Sequence, residues 1–411
     1  MRLIEQALLA QGIEIEVATT DDDGPGRRSK IKSQQPQPEN VGGHPSGRLV
    51  VIEGDHGGHP TGHKVTTPTH SSSHPNSLKP VRRYFPKRLE FYKVSPGFAF
   101  WIFRHLRDYD LVHIHALFSF TSVAAAWVAR WAGIPYVVRP LGTLNRYGVT
   151  QRRPLLKQIS LKLIEGPILR HAAAVHFTAE AERLEAETLG VPMRGVVVPL
   201  GIAPLIQQGA SVFMTRFPQL AHQRVVLFLS RLDPKKNVEG LLQAFRLVGE
   251  SLPDTKLVIA GDGEAEYVAG LKRLADELGV ADRVVWPGFV DGELKASAFA
   301  AAQLFVLPSF SENFGIAAAE ALMAGLPCVL GEGVALADDV ARAGAGVVTA
   351  PDPQAIAKAL QELLGNDARL AEMGVQARLL ANSQYSLDAM GASLHALYSR
   401  ILRQNSSGHI E

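Results

Sequence analysis

The sequence has 411 residues, of which 46% are hydrophobic, and a formal net charge of +2. This length predicts two or three domains, each with a proper hydrophobic core. The near-neutral charge gives no electrostatic reason to expect a nucleic-acid ligand. Cys328 is the only cysteine, which excludes an internal disulfide and favours a reducing, cytoplasmic compartment. No apolar run reaches the roughly 18 residues that span a bilayer.

The chain opens on a helical pattern rather than on a strand. Apolar residues recur at helical spacing over residues 1–11, Gly12 ends the pattern, and residues 13–19 predict a strand. A doubly wound domain normally begins with a strand and a glycine-rich loop that precede its first helix. We therefore expect the first domain to lack that opening strand, which weighs against activity of the chain as written.

Residues 21–80 are rich in Gly, Pro, Ser, Gln and His and contain few large apolar residues. Such a composition buries too little apolar surface to offset the entropy of ordering, and it predicts a disordered insertion with one short strand at 49–52. Six histidines of this stretch are candidate metal ligands, but their spacing fits no defined site, so we expect no metal. They are His44, His56, His59, His63, His70 and His74.

Residues 79–103 alternate cations with aromatic residues, and two interpretations are open. The stretch contacts an anionic membrane face or a polyprenyl-diphosphate acceptor, or it is a solvated edge whose aromatic residues enter the core. The cations are Arg82, Arg83, Lys87, Arg88 and Lys93, and the aromatic residues are Tyr84, Phe85, Phe91, Tyr92, Phe98, Phe100 and Trp101.

Short apolar strands alternate with helices over residues 111–198, which predicts a parallel sheet covered by helices. His115 follows the first strand, at the edge where open sheets bind ligands, so it is a candidate ligand-contacting imidazole. A packed core histidine is an equal alternative. His113 is expected to point to the other face. The strands are predicted at 111–114, 136–139, 174–177 and 196–198, and the helices at 119–131, at 154–170 and after Thr178.

A second alternating region follows a Gly- and Pro-containing hinge at 199–204. Its first strand, at 225–229, runs into a turn with two cations, Arg231 and Lys236. The planar guanidinium and the ammonium together suit a diphosphate without a metal, and a solvated basic turn is the alternative. Later strands are predicted at 256–260, 284–286, 304–307, 328–330 and 346–348, and later helices at 353–364, 368–381 and 385–402.

The loop after the 304–307 strand carries Glu312, and Gly315 opens an alanine-rich helix that ends at Gly325. The helix N-terminus offers unpaired amides and a partial positive charge to a diphosphate. Glu320, inside the helix, needs a partner, and two ribose hydroxyls would serve. Glu312 lies near where a reacting sugar would sit. Alternatively, Glu312 is a solvated loop residue and Glu320 a surface charge.

Residues 308–327 follow the pattern Pro-Ser-x-x-Glu-x-Phe-Gly-x(4)-Glu-Ala-x(3)-Gly-x-Pro. This pattern resembles the Glu-x(7)-Glu motif of retaining glycosyltransferases of family 4, and residues 110–199 look like the first domain of exopolysaccharide-type members. The resemblance implies an α/β GT-B fold, with two Rossmann-like, doubly wound domains facing a cleft. It places the acceptor-side domain at 1–200, the nucleotide-sugar domain at 205–384, and a helix that crosses back to the first domain at 385–403.

The resemblance also implies roles for particular residues. Arg231 and Lys236 hold the donor phosphates, Glu312 contacts the donor sugar, and His115 is a further candidate catalytic residue. Donor-binding positions are Gly261, Gly263, Phe289, Val290, Asn313, Phe314, Gly315, Ile316 and Glu320. The donor is a UDP- or GDP-sugar, bound as substrate, and no cofactor or metal is expected.

The expected acceptor is a saccharide or lipid-linked hydroxyl in surface polysaccharide synthesis, at the inner face of the plasma membrane. Leu141 stands where many relatives have a histidine near the transferred sugar. This difference and the missing first strand favour one alternative, a sugar-nucleotide-binding protein without catalysis. A nucleotide-sugar epimerase or a phosphorylase on the same two-domain plan is another.

Overall fold

The computed structural model describes residues 2–21, 48–53, 80–86, 94–144, 159–206 and 208–407. The six candidate metal-binding histidines and the 87–93 part of the basic aromatic stretch lie outside these ranges. The chain divides into two compact units. The first unit comprises residues 1–177, 182–198 and 391–411, and the second comprises residues 178–181 and 199–390.

The first unit is built from helices and strands that alternate along the chain. Its helices are α1 (Arg2–Ala10), α2 (Pro96–His105), α3 (Phe120–Ala132), α4 (Gly166–His171) and α5 (Glu180–Glu187), with a 3-10 turn at Leu106–Asp108 and a π-helical turn at Leu161–Glu165. Its strands are β1 (Glu14–Asp21), β2 (Arg48–Glu53), β3 (Val81–Pro86), β4 (Leu111–His115), β5 (Tyr136–Arg139), β6 (Ala174–Phe177) and β7 (Gly195–Val197).

These seven strands form one parallel sheet in the order β3-β1-β2-β4-β5-β6-β7. In the usual doubly wound order, 3-2-1-4-5-6, the strand beside the fourth is the first of the chain. Here β2 takes that central place, and its residues Val50, Val51 and Ile52 are fully buried. The short strand predicted at 49–52 is therefore confirmed, but its place as a central core strand, rather than as part of an insertion, was not expected.

The second unit repeats the strand–helix alternation. Its strands are β8 (Arg224–Leu229), β9 (Thr255–Ala260), β10 (Val284–Gly288), β11 (Leu304–Leu307), β12 (Cys328–Gly331) and β13 (Gly346–Thr349). Its helices are α6 (Ser211–Arg216), α7 (Val238–Ser251), α8 (Ala265–Glu277), α9 (Gly292–Ala301), α10 (Ile316–Ala324), α11 (Ala337–Arg342), α12 (Pro353–Leu364) and α13 (Asp367–Gln384), with 3-10 turns at Pro218–Leu220, Pro234–Lys236 and Ala281–Arg283. The boundary between the units falls within the last helix, α14 (Leu387–Ser407).

The second sheet has the parallel order β10-β9-β8-β11-β12-β13. Counted from β8, this is the doubly wound order 3-2-1-4-5-6, whose direction reverses between β8 and β11. Open sheets bind ligands outside the carboxyl ends of the strands at such a reversal. The two Rossmann-like parallel-sheet units confirm the predicted fold class.

The core of the second unit follows from its sequence. Its strands are nearly continuous apolar runs, as expected for a parallel sheet covered on both faces, and Val226, Phe228 and Phe305 are fully buried. Asp352 caps α12 by accepting a hydrogen bond from the amide of Ala355. Among the described residues, no helix is both long enough and apolar enough to cross a bilayer.

Candidate donor site in the second unit

The loops that follow β8 and β11 meet at the reversal point of the second sheet. Asp233 begins the 3-10 turn Pro234–Lys236, with its carboxylate accepting from the amide of Lys235 at 3.0 Å. The ammonium of Lys236 forms an ion pair with the carboxylate of Glu312, which lies in the loop after β11. A cation and an acid 76 residues apart in sequence are thus held together at the ligand-binding edge of the sheet.

Asn237 fixes the geometry of this meeting point. Its side-chain amide donates to the carbonyl oxygens of Pro308, at 3.2 Å, and Pro351, at 2.9 Å. Its own backbone is left-handed, with φ 56°, a conformation that Asn tolerates better than most residues. The amide of Phe310 also donates to the carbonyl of Lys235 at 2.9 Å. The loops after β8, β11 and β13 are therefore fastened to one another, which sequence reasoning did not foresee.

The electrostatics of Lys236 reflect its position. Its side chain is only 12% exposed. Burial is the main cause that lowers the pKa of Lys236, with a further lowering by nearby Arg231 and an opposing effect of Asp233. The contact with the Glu312 carboxylate favours the charged ammonium, so we treat Lys236 as a cation at neutral pH.

Arg231 differs from Lys236 in exposure. Its side chain is 73% exposed, and its guanidinium lies 4.0 Å from the carboxylate of Asp233. An exposed ion pair at that distance contributes little to stability. The guanidinium is therefore able to turn toward an anionic ligand at small energetic cost.

The amino end of α10 completes the edge. Gly315 precedes this helix with φ 93°, and a Cβ built on it would lie 3.1 Å from Val334. The first intrahelical hydrogen bond runs from Ala319 to the Gly315 carbonyl, so the amides of residues 316–318 have no acceptor within the helix. These amides and the helix dipole suit an anion such as a phosphate.

Glu320 has a partner that the sequence analysis missed. The ammonium of Lys295, on α9, lies 2.7 Å from Oε1 of Glu320, and the two side chains are 26% and 14% exposed. Glu320 is therefore a mostly buried acid held by a cation, not a free surface charge. A lone lysine in the alanine-rich helix 292–301 was the available signal.

The other predicted donor-binding positions fall into two groups. Phe289 and Ile316 expose 51% and 54% of their surface, and Asn313 is also exposed. Val290 and Phe314 are buried, with the Phe314 ring packed edge-on against Tyr385, so only their backbones can face a ligand.

Gly261 and Gly263 were predicted to let the backbone approach a ligand. A Cβ on Gly261 would lie 1.8 Å from the Ser230 carbonyl oxygen, and a Cβ on Gly263 would lie 2.3 Å from that of Leu232. Here the approaching group is protein backbone: the glycines allow the loop after β9 to pack on the loop after β8. Ligand contact by either glycine remains a prediction.

In the first unit, His115 lies in a buried cluster on one face of the sheet. His113, His115 and His176 are each at most 1% exposed, and the rings of His113 and His115 have centroids 4.3 Å apart. The expectation that His113 points to the opposite face is wrong, because residues i and i+2 of a strand share a face. None of the described residues forms a hydrogen bond with Nε2 of His115.

A chain of hydrogen bonds orders this cluster. Nε2 of His176 lies 2.9 Å from the Val198 carbonyl, which only accepts, so this nitrogen carries the proton. Nδ1 of His176 then accepts from Nε2 of His113 at 3.4 Å, and Nδ1 of His113 accepts from the Tyr398 hydroxyl at 2.7 Å. Burial is the main cause that lowers the pKa of His176, to about 3. Burial is also the main cause that holds the pKa values of His113 and His115 well below the usual range. All three imidazoles are neutral at pH 7.

Strained backbone marks the same edge of the first sheet. Ala116, Phe118 and Leu141 have φ values of 83°, 58° and 57°, and all three lie in the loops after β4 and β5. Left-handed conformations of such residues cluster at functional sites. Leu141 is thus in an unusual conformation at the position where the resemblance leads one to expect histidine.

The described part of the basic aromatic stretch is largely used within the fold. Arg82 pairs with Glu5, and Arg83 pairs with Glu16. The Phe85 ring packs on Phe98 and Trp101, with centroids 5.6 Å and 5.4 Å away, and Phe98 is fully buried. Within the residues that the structure describes, no three His, Cys, Asp or Glu side chains are grouped so as to hold a metal ion.

Two family models match the chain. Residues 1–201 match the glycosyl transferase 4-like domain, and residues 215–380 match glycosyl transferases group 1. With the two parallel sheets, these matches give the class of protein that the chain resembles: the two-domain GT-B glycosyltransferases.

Individual relatives agree with this class. The chain is 34% identical over 188 residues to a GDP-mannose-dependent alpha-(1-6)-phosphatidylinositol monomannoside mannosyltransferase of Mycolicibacterium smegmatis. The matched region covers 44% of this chain and 49% of that relative. The chain therefore spans about half the length of that curated relative. It is 28% identical to a phosphatidyl-myo-inositol mannosyltransferase of Mycobacterium leprae, over 73% of this chain and 75% of the relative.

Among solved structures, the fold is similar to Anabaena Alr3699/HepE in complex with UDP. The TM-score is 0.67 at 17% identity, and the match covers 94% of this chain and 100% of that one. This similarity concerns the fold alone.

Proposed function

We propose that the chain is a retaining glycosyltransferase that moves a sugar from a nucleotide-diphosphate donor to an acceptor hydroxyl, without a metal. The observation that carries the proposal is the Lys236–Glu312 pair beside the amino end of α10, at the reversal point of the second sheet. A cation, a carboxylate and unpaired helix amides are brought together there, which is the combination that a sugar diphosphate requires.

The residues suggest how the reaction proceeds. As the bond between sugar and diphosphate breaks, positive charge builds on the sugar and negative charge on the leaving group. Lys236, Arg231 and the α10 amides stabilise the leaving diphosphate, an electrostatic contribution that is usually large. The carboxylate of Glu312, which pairs with Lys236, also contacts the donor sugar in this proposal. A phosphate oxygen of the donor takes the proton of the acceptor hydroxyl, so no protein base is needed.

Glu320 binds the ribose in this proposal. Lys295 occupies one carboxylate oxygen of Glu320, and the second oxygen remains for a ribose hydroxyl. The nucleotide base of the donor is placed beside the loop that carries Phe289 and Val290. His115 is kept as a candidate catalytic residue of the first unit, with a neutral imidazole whose Nε2 is not hydrogen-bonded to any of the described residues.

The proposed acceptor is the hydroxyl of a lipid-linked saccharide in surface polysaccharide synthesis, met at the inner face of the plasma membrane by a cytoplasmic protein. The names of two relatives support a lipid-borne acceptor, since both are phosphatidylinositol-type mannosyltransferases. A UDP- or GDP-sugar is the proposed donor.

A two-stage experiment tests the proposal. A panel of UDP- and GDP-sugars is first screened by thermal shift, because a ligand that binds only the folded state raises the melting temperature. The sugar that binds is then offered with lipid-linked saccharide acceptors, and the product anomer is identified by NMR. We expect transfer with retained configuration. Inversion refutes the retaining mechanism, and donor binding without transfer or hydrolysis favours the non-catalytic alternative.

A further inference from the structure

Helices α2 and α3 of the first unit carry a group of exposed aromatic side chains. Four side chains of these helices are exposed although aromatic residues of this size usually bury much of their surface. They are Phe100, Phe103, Trp127 and Trp131, which expose 64%, 56%, 49% and 63% of their surface. The rings of Phe103 and Trp131 stack across the two helices, with centroids 5.2 Å apart. We call these four side chains the aromatic patch. Exposed apolar clusters of this kind mark interaction surfaces.

Three arginines lie on the rings of the aromatic patch. The guanidinium of Arg104 is 5.5 Å from the Phe100 ring centroid, that of Arg107 is 5.2 Å from Trp131, and that of Arg130 is 5.9 Å from Trp127. The sequences of α2 and α3 contain no Asp or Glu, and Asp108, in the 3-10 turn that also carries Arg107, lies 3.2 Å from Nδ1 of His105. The aromatic patch is therefore both apolar and positively charged.

We propose that the aromatic patch docks on an anionic bilayer surface. Tryptophan and phenylalanine partition into the headgroup region of a bilayer, and each arginine near an anionic leaflet gains attraction from its lipid phosphates. The aromatic rings and the arginines, which suit the two parts of an anionic membrane surface, are present together in this patch. Because neither helix is long or apolar enough to span the bilayer, the patch lies on the membrane rather than crossing it.

Charge argues against a second copy of the chain as the occupant. In a two-fold symmetric dimer the same surface faces itself, so the guanidinium groups of Arg104, Arg107 and Arg130 would meet their own copies. An anionic membrane instead supplies the opposite charge over an extended area. The inference gives the membrane contact of the proposed function a definite surface, but vesicle binding is measured without donor or acceptor. Either proposal can therefore fail while the other stands.

The test compares variants of the full chain in flotation with phosphatidylcholine vesicles, with and without phosphatidylglycerol. Replacing Arg104, Arg107 and Arg130 with glutamine removes about 1 kcal/mol per arginine near the surface, so binding to anionic vesicles should weaken on the order of a hundredfold. The double variant Phe103→Ser/Trp131→Ser keeps the charges and should also bind more weakly. Brominated lipids should quench the emission of the wild-type protein, because two of its 4 tryptophans lie in the patch.

The matched control replaces the exposed arginines Arg246, Arg273 and Arg369 of the second unit with glutamine. This triple variant has the same net charge as the test triple and should bind vesicles like the wild type. An equal loss of vesicle binding in both triple variants would mean that total charge alone attracts the protein to the vesicles, and it would overturn the proposal. The proposal is also overturned if the wild-type protein does not bind anionic vesicles. It is likewise overturned if the wild-type protein sediments as a dimer and the Phe103→Ser/Trp131→Ser variant sediments as a monomer. Circular dichroism and thermal melting check that each variant folds.

Discussion

The ammonium of Lys295 lies 2.7 Å from Oε1 of Glu320, linking α9 to α10 within the second unit. If Glu320 binds the donor ribose, Lys295 is a positioning residue that holds the acid in place. Replacing Lys295 with methionine should raise the donor KM about tenfold, because a hydrogen bond to a charged group is worth roughly 1.5–3 kcal/mol, and should leave kcat nearly unchanged.

The control for this prediction is Lys358→Met, which removes a 77% exposed lysine from α12 and should leave both constants unchanged. A fall in kcat at constant KM for Lys295→Met would mean that the pair acts on the reacting sugar instead. Unchanged constants would show that Glu320 does not need its cation for donor binding.

The Lys236–Glu312 pair is expected to act in the chemical step. Lys236→Ala removes a cation that stabilises the departing diphosphate, and Glu312→Gln removes the negative charge beside the sugar. Each should lower kcat by about 10²–10³, measured as initial transfer rates at saturating donor. Lys272→Ala, an exposed lysine on α8, is the control. Near-normal rates in both site variants, with native circular dichroism, would refute the assignment of these roles.

The architecture of the second unit was predictable because local patterns and topology agree there. Uninterrupted apolar runs predicted β8, β9, β11 and β12, and their alternation with helices fixes a parallel sheet. The carboxyl ends of β8 and β11 come together through the strand order, which brings Lys236 and Glu312 side by side. The sequence analysis assigned both residues to the donor site but did not predict their ion pair.

What the sequence could not supply are contacts between elements that are distant along the chain. The strand at 48–53 stands in a low-complexity segment, so composition pointed to an insertion, whereas β1 and β4 bury it on both sides. Lys295 and Asn237 find their partners only after helices and loops have packed. The error over His113 was one of geometry, since the two-residue period of a strand was sufficient to place it beside His115.

Asn237 should contribute to stability through both its backbone and its side chain. Asn237→Ala loses two hydrogen bonds and forces alanine into a left-handed conformation, which should lower the free energy of unfolding by about 3 kcal/mol. Asn237→Gly relieves the backbone strain and should cost about 1–2 kcal/mol. Urea denaturation measures both. If alanine costs no more than glycine, strain at φ 56° is not a significant factor.

Turnover is expected to be independent of a divalent metal. Lys236, Arg231 and the amino end of α10 supply the positive charge that a metal would otherwise bring to the diphosphate. Transfer rates should therefore be unchanged after dialysis against EDTA. A loss of activity that magnesium or manganese restores would contradict the prediction, and the same assay on Lys236→Ala would show whether the metal substitutes for the lysine.

The buried histidines make the first unit sensitive to acid. Burial lowers the pKa of His176 to about 3, whereas an unfolded histidine titrates near 6.5. Below pH 6.5 the unfolded state therefore binds more protons, and stability falls as the pH drops toward 3. Between pH 7.5 and 5.0, His176 alone should remove about 2 kcal/mol from the free energy of unfolding. Urea denaturation of wild type and His176→Gln at the two pH values should show a loss smaller by that amount in the variant, whereas His395→Gln, at an exposed position of α14, should follow the wild type. An equal pH-dependent loss in wild type and His176→Gln would mean that the imidazole of His176 accepts a proton in the folded protein.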